Sequence, residues 1–251
     1  MVRPPGPKPM ILKNNQTTED PRLDRVVLFD ERSKAFPIRA TIEQKKPRSY
    51  TWRCMEWFDQ GREGKCVAYG IGHELAARPS EITGLTPEVL QNIYWQAQRN
   101  DPWPGGSYPG AQPFYDGTAV LAGVKEAQSL GYFGSYRWSF SLAELNMGLS
   151  YAGPAVLGLA WYEGMFNTDS QGYIRVTGQV TGGHCVCARG VDIKNKRILI
   201  RNSWSATWGI NGDAWITFDD MDRLLHEQGE ACFFLDRKKA PRRSRVVAPL
   251  S

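Results

Sequence analysis

The chain has 251 residues and a mass of 28.3 kDa, with 41% hydrophobic residues that include 9 Trp, 10 Tyr and 10 Phe. That content supports a sizeable core and excludes wholesale disorder. The longest apolar stretch, around 153–161, is about half of what a membrane-spanning helix needs. The net charge of +5 originates in Arg237, Lys238, Lys239, Arg242, Arg243 and Arg245, so the rest of the chain is near neutral.

Five cysteines cannot form a complete internal disulfide set, and the proline-rich start, Met1 to Pro9, has no signal-peptide apolar run. Both features predict synthesis in a reducing cytoplasm. Residues 1–45 read as an N-terminal arm that is proline-rich, then polar. Its runs Val26 to Phe29 and Phe36 to Ile42 suit an edge strand or a segment lying across a domain surface. The arm is expected to act as an adaptor or packing element, followed by a domain over 46–236 and a basic tail over 237–251.

Asp59-Gln60-Gly61-Arg62-Glu63-Gly64-Lys65 is a glycine-punctuated loop that leads into a predicted helix over Cys66 to Ala77. A cysteine at a helix start meets unpaired N–H groups and the positive end of the dipole, which lowers a thiol pKa. Cys66 is therefore either a poised nucleophile or a small hydrophobe opening a helix. Ala68, Ile71, Leu75 and Ala76 form the expected buried face. His73 lies about two turns from Cys66, too far along the axis for proton exchange, and is assigned to packing.

A second helix is predicted over Thr86 to Arg99, with Thr86 as cap, Pro87 in the first turn and Leu90, Ile93, Tyr94 and Ala97 as apolar stripe. The irregular loop Asp101 to Gly110 holds aromatics between prolines, with Gly105 and Gly106 as points of close backbone approach. Asp116 is the expected cap of a third helix through Ser129, and Ser141 to Tyr151 reads as a fourth. The pattern then changes to strands: Ala155–Tyr162, Tyr173–Val176, Gly183–Val191, Ile198–Asn202, Asp213–Phe218 and Ala231–Leu235. Asp219 or Asp220 initiates a short helix through Leu225, and His226 faces solvent. A helical half and a strand half place chemistry at their seam.

Cys66 after Gln60-Gly61, His184 after Gly182-Gly183, and Asn202-Ser203-Trp204 ending a strand together resemble the papain-like cysteine peptidases, in their bacterial or phage branch. The resemblance covers roughly Trp52 to Asp236 and implies an α+β fold. In that fold a helical left lobe and an antiparallel, β-rich right lobe flank an active-site cleft. It further implies Cys66 as nucleophile, His184 as proton shuttle, Asn202 as the group orienting the imidazole, and Gln60 as an oxyanion donor. Trp204 corresponds to the family tryptophan that shields the Asn–His bond. Asp116-Gly117-Thr118 resembles the element that opens a helix beside the substrate groove, with Gly117 admitting an extended peptide. Leu225 and Glu230 are expected to border a side-chain pocket.

Several positions depart from the family. The Cys66 to His184 separation is shorter than the roughly 130–150 residues of the papain signature, which implies trimmed loops. Lys65 and Val67 stand where serine and tryptophan are common, and Ser205 where glycine commonly follows Trp204. Cys185 and Cys187 point to the opposite strand face from His184, which argues against zinc, and no metal or cofactor is expected.

The expected reaction is thiol-dependent hydrolysis of peptide or isopeptide bonds through a cysteinyl thioester, with a protein or peptide as substrate. The alternatives are cysteine-dependent acyl transfer, which shares the first half-reaction, and a catalytically inactive structural or interaction protein in a phage particle or other assembly. The arm or the basic tail would then contact the assembly. A solvated tail is preferred over a nucleic-acid surface, because no zinc-finger spacing or aromatic-interleaved basic patch accompanies it.

Overall fold

The computed structural model describes residues 20–28, 30–42 and 45–237. The proline-rich start, Phe29 and the basic tail beyond Arg237 lie outside the described residues.

Helix α1 (Cys66–Leu75) is buried along every residue, not along one face. It is sandwiched between the sheet and two further helices, and Gly70 makes the closest approach possible: a Cβ there would come within 2.8 Å of Cys185 Sγ. Helix α2 (Pro87–Asn100) begins as expected, with Thr86 Oγ1 accepting the Val89 N–H at 3.4 Å. Helix α3 (Val120–Ser129) is shorter than predicted, and Asp116 does not cap it. Gly117 adopts φ +93, outside the helical region, and Thr118–Ala119 instead form strand β3. The partner of β3 is strand β1 (Arg25–Val26) of the arm, paired in parallel, a long-range contact that outweighs the local capping signal. Helix α4 (Leu142–Tyr151) is capped by Ser141. Helix α5 (Phe218–His226) is capped by Thr217, not by Asp219 or Asp220, with Thr217 Oγ1 accepting the Asp220 N–H at 3.1 Å.

The main sheet contains β4 (Phe133–Ser139), β5 (Ala155–Tyr162), β6 (Val180–Asp192), β7 (Arg197–Arg201), β8 (Asp213–Thr217) and β9 (Glu230–Arg237). Its order is β4-β9-β5-β6-β7-β8, all antiparallel, with β2 (Tyr50–Thr51) added along β6. Strand β4 escaped the sequence reading because Phe-Gly-Ser-Tyr-Arg-Trp-Ser lacks clean alternation and lies at the sheet edge. Conversely, the strand expected over Tyr173–Val176 is a loop joined to the sheet by one bridge, Tyr173 to Trp215.

Alternation along the strands divides the interior into two cores. Val156, Cys185, Cys232 and Phe234 face α1, α2 and α3. Leu157, Trp161, Val186, Ala231 and Phe233 face the opposite side, with Leu145 of α4 and Met221 and Leu224 of α5. Strand β6 thus carries alternate residues into each lobe, so His184 and Cys185 serve different cores.

The described arm is integrated rather than loose. Leu23 and Ile38 are buried in the β-lobe core, and Pro37 bridges Trp138. At the other end, Arg237 belongs structurally to β9. Its guanidinium is buried on the carboxylate of Glu74 and donates to the carbonyls of Glu74 at 2.9 Å and Ala77 at 2.8 Å.

Candidate active site

Helix α1 opens at Cys66, preceded by Lys65, whose side chain makes no cap bond and pairs with Glu63 at 2.5 Å. The preceding loop is shaped by Asp59, whose carboxylate accepts the Gly61 N–H at 2.8 Å, with Gly61 at φ +65. Gln60 is fixed from two sides by Ser203: its N–H donates to the Ser203 carbonyl at 2.9 Å, and its Oε1 accepts from Ser203 Oγ at 2.7 Å. This orientation aims Nε2 at the carbonyls of Glu63 at 2.8 Å and Arg22 at 3.3 Å. The sequence pointed to Gln60 but gave no role to Ser203, whose hydroxyl sets which end of the amide faces the site.

His184 is fully buried on β6, and its Nε2 lies 2.8 Å from Asn202 Oδ1. The same Oδ1 accepts the Ser203 N–H at 2.8 Å, and the Asn202 N–H donates to the Gly212 carbonyl at 2.9 Å. Asn202 is thereby locked with its oxygen towards the ring, which places the donor hydrogen on Nε2 and leaves Nδ1 as the open nitrogen. Trp161 meets the imidazole edge-on and Trp204 covers it at a tilt, both with centroids 4.7 Å away. Phe166 stacks on Trp204 at 5.4 Å. This aromatic wall excludes water from the His184–Asn202 bond and strengthens it.

The cleft holds the protein's own arm. The Arg22 guanidinium lies 4.2 Å above the Trp204 ring, the Arg22 carbonyl accepts from Gln60, and Asp24 bridges Gly183. The main chain at Asp24 passes so close to Gly117 that a Cβ there would lie 2.1 Å from the Asp24 carbonyl oxygen. A Cβ on Gly183 would likewise lie 2.4 Å from the Arg25 carbonyl oxygen. Arg25 then enters a pocket, where its guanidinium pairs with Glu230 and donates to the Gln228 carbonyl at 2.8 Å.

These contacts set the charge state. Burial, then the Asp24 carboxyl, push the Cys66 thiol up to about 12, against the Cys185 and Asp24 backbone N–H groups and Arg25. Burial, aided by the Arg22 charge, brings His184 down to about 4, against Asn202, the Arg22 backbone and Asp20. A helix start by itself lowers a thiol pKa; the closed cleft gives the opposite because desolvation outweighs the dipole. Asp24 is raised to about 7 by burial, with Asp116 and Asp20 adding to it. At neutral pH the closed site therefore holds a thiol and a neutral imidazole.

The remaining candidates are dispersed. Gly117 and Glu230 touch the arm and Trp204 covers His184, as described. Leu225 is half-buried against the β-lobe core. Gly105 and Gly106 have Pro113, Gln98 and Tyr108 as their near neighbours, within their own loop and α2. His73 is buried beside Phe58, with Nε2 accepting the Phe58 N–H at 2.9 Å, and burial holds it down at about 3. His226 is exposed and its ring sits 2.8 Å from the Asp222 carbonyl. Among the described residues no group of three or more His, Cys, Asp or Glu is arranged to hold a metal, and no helix is long and apolar enough to cross a membrane.

No family model matches the sequence. Over 64 residues it is 34% identical to an uncharacterized peptidase C1-like protein of Acanthamoeba polyphaga mimivirus, a match that spans 24% of this chain and 21% of that protein. The structure superposes on xylellain, a cysteine protease from Xylella fastidiosa, with a TM-score of 0.65 and 15% identity, over 90% of this chain and 100% of that one. It is also similar to digestive procathepsin L 3 of the Tenebrio molitor larval midgut, with a TM-score of 0.54 and 17% identity, over 88% and 76% of the two chains. With helical and β-rich lobes meeting at a cleft, the chain has the papain-like two-lobed α+β fold.

Proposed function

We propose that the chain is a thiol-dependent hydrolase of peptide or isopeptide bonds, with the arm as a removable occupant of its cleft. The observation that carries this reading is the Arg22 carbonyl: a peptide C=O already accepts a hydrogen bond from Gln60 beside the His184–Asn202 pair. A substrate carbonyl taking that place would have a donor ready for the charge it develops.

With the arm displaced, solvent reaches Cys66 and His184 and both pKa shifts relax. The sulfur of Cys66 attacks the carbonyl carbon while its proton resides on His184 Nδ1, the nitrogen that Asn202 does not use. The oxyanion accepts from Gln60 Nε2 as the C=O double bond becomes single. Collapse of the intermediate breaks the C–N bond, and the Nδ1 proton goes to the leaving amine. Water, deprotonated by the same nitrogen, then attacks the thioester and releases the acid and the free thiol. An amine in place of that water would give acyl transfer.

The test is labelling by an electrophilic peptide probe in the full-length Arg25→Ala protein, in which the arm has lost its ion pair. The expected result is a Cys66 adduct that requires His184 and competes with peptide hydrolysis. A folded Arg25→Ala protein that neither forms the adduct nor cleaves any peptide library overturns the reading in favour of an interaction role for the papain-like scaffold.

A further inference from the structure

A cysteine nucleophile needs no second thiol, yet one is packed beside Cys66. All five cysteines are free. Cys66 opens α1, and Cys185 lies on the face of β6 that packs against the helices. One turn along α1 from Cys66, a Cβ on Gly70 would come within 2.8 Å of Cys185 Sγ, so only a glycine there lets that sulfur rest on the helix. The Cys185 backbone N–H in turn donates to the Cys66 sulfur. One residue thus meets Cys66 through its amide and carries the second sulfur three bonds from that nitrogen.

The other thiols lack this arrangement. Cys187 and Cys232 are both register partners of Val156, which stands between them. Cys54 Sγ meets the carbonyls of Glu56 at 3.2 Å and His73 at 3.5 Å, about two turns along α1 from Cys66. The arm controls the Cys66 and Cys185 pair. Cys185 is the register partner of Gly158, and a Cβ on Gly158 would lie 2.4 Å from Arg25 Nε. Arg25 therefore fills the place beside Cys185 that a cross-strand side chain would take. Both thiols are fully buried while it is there. Its departure opens Cys66 to solvent and gives the Cys185 side chain room to turn towards it.

We propose that Cys66 and Cys185 are a redox pair, in which hydrogen peroxide oxidises Cys66 in the open cleft and Cys185 captures the product as a Cys66–Cys185 disulfide. The Cys66 sulfur attacks the peroxide: an S–O bond forms, the O–O bond breaks, and the second oxygen leaves with the thiol proton as water. The Cys185 sulfur then attacks the Cys66 sulfenic acid: the S–S bond forms, the S–O bond breaks, and the hydroxyl leaves with the Cys185 proton as a second water. The two thiols lose two electrons, which the peroxide gains. Exchange with an added dithiol restores both thiols. The disulfide withholds Cys66 from oxidation to sulfinic acid, a state that thiols do not reverse. The pairing stands whether or not Cys66 serves a hydrolase; only the silencing of turnover rests on that reading.

Full-length Arg25→Ala protein is exposed to hydrogen peroxide, blocked with iodoacetamide and digested without reduction, and its peptides are mapped by mass spectrometry. The expected product is a Cys66–Cys185 linked peptide that dithiothreitol separates, with loss of most Cys66 alkylation before reduction and its recovery afterwards. In Arg25→Ala/Cys185→Ser protein, Cys66 should pass instead to sulfinic acid, which dithiothreitol does not recover. If that variant does not fold, Cys185→Ala provides the same comparison. Absence of the linked peptide, with Cys66 over-oxidised or unchanged, overturns the proposal. A link from Cys66 to any other cysteine, or recovery of Cys66 by dithiothreitol without Cys185, overturns it as well. Turnover is read separately in reduced Arg25→Ala protein. The linked peptide without turnover of any substrate sinks the hydrolase reading and leaves the redox pair, whereas turnover without the link does the reverse.

Discussion

The two sides of the cleft are held in place by different physics. On the β-lobe side, His184, Asn202 and Ser203 lie on or directly after strands of a continuous antiparallel sheet, behind Trp161, Trp204 and Phe166. Their polar atoms interlock, with Asn202 Oδ1 serving both the His184 ring and the Ser203 N–H. The arm that fills the same cleft has a two-residue parallel ladder with β3, one cation over Trp204, and one ion pair in the Glu230 pocket. The first arrangement is built into the core, so it persists whether or not a ligand is bound. The second is a set of contacts strung along the arm, with Leu23 anchored in the β-lobe core between the Arg22 and Arg25 contacts.

The largest effect should come from the built-in side. In the Arg25→Ala background, Cys66→Ala or His184→Ala should lower kcat/KM by about a thousandfold or more, measured on a cleaved peptide, while the far-ultraviolet circular dichroism stays unchanged. Gln60→Ala should cost about 100-fold or more, confined to kcat, because the donor acts on charge present only in the transition state. A loss confined to KM would mean that Gln60 positions substrate and leaves the oxyanion to other donors.

The removable side should respond in the opposite direction. Arg25→Ala on its own is expected to speed alkylation of Cys66 by small electrophiles by about 30-fold or more over the unsubstituted protein, since the arm then spends longer out of the cleft. Equal alkylation rates would show that the arm is held by contacts other than its ion pair. Away from the cleft, Arg237→Ala leaves Glu74 buried without its cation. Burial already raises that carboxyl to about 8 despite Arg237. Urea unfolding at pH 7, where that carboxyl takes a proton, should register a loss of about 1–3 kcal/mol, the cost of a buried polar group left unsatisfied, with an unchanged m value.

The smallest effect concerns pH. Asp24 is raised to about 7 in the closed cleft, from 3.8, so its contribution to closure is complete below pH 4 and is lost as pH rises to about 7. His184 is lowered to about 4 from 6.5, so its contribution is absent below pH 4 and grows as pH rises to 6.5. Closing therefore moves a proton from the imidazole to the carboxyl, and between pH 4 and 6.5 the two trends oppose each other. Hydrogen exchange at residues 22–26, corrected for the intrinsic rate, should show nearly flat protection across that window. Asp24→Asn removes one trend, and protection should then rise with pH towards 6.5. A flat profile for Asp24→Asn would show that His184 does not lose its charge on closure.

The sequence by itself determined what rests on local signals. Thr86 with Pro87, and Ser141, mark helix starts; apolar runs mark β5 and β6; Gln60, Cys66, His184 and Asn202 carry the motif spacing of the resemblance, and of these the structure joins His184 to Asn202 and Gln60 to the neighbouring Ser203, with Cys66 opening α1. The tertiary structure alone decided what depends on residues remote in sequence. Asp116 is a good cap by its type, but β3 takes the backbone there because β1 arrives to pair with it. Cys66 sits at a helix start as expected, but its thiol is raised because Asp24 and the arm exclude water from it. Arg25 and Glu230 are 205 residues apart. Neither belongs to a pattern that singles out the other, since an ion pair has no periodicity, and only the folded sheet, with Gly158 leaving space for a guanidinium, brings them together.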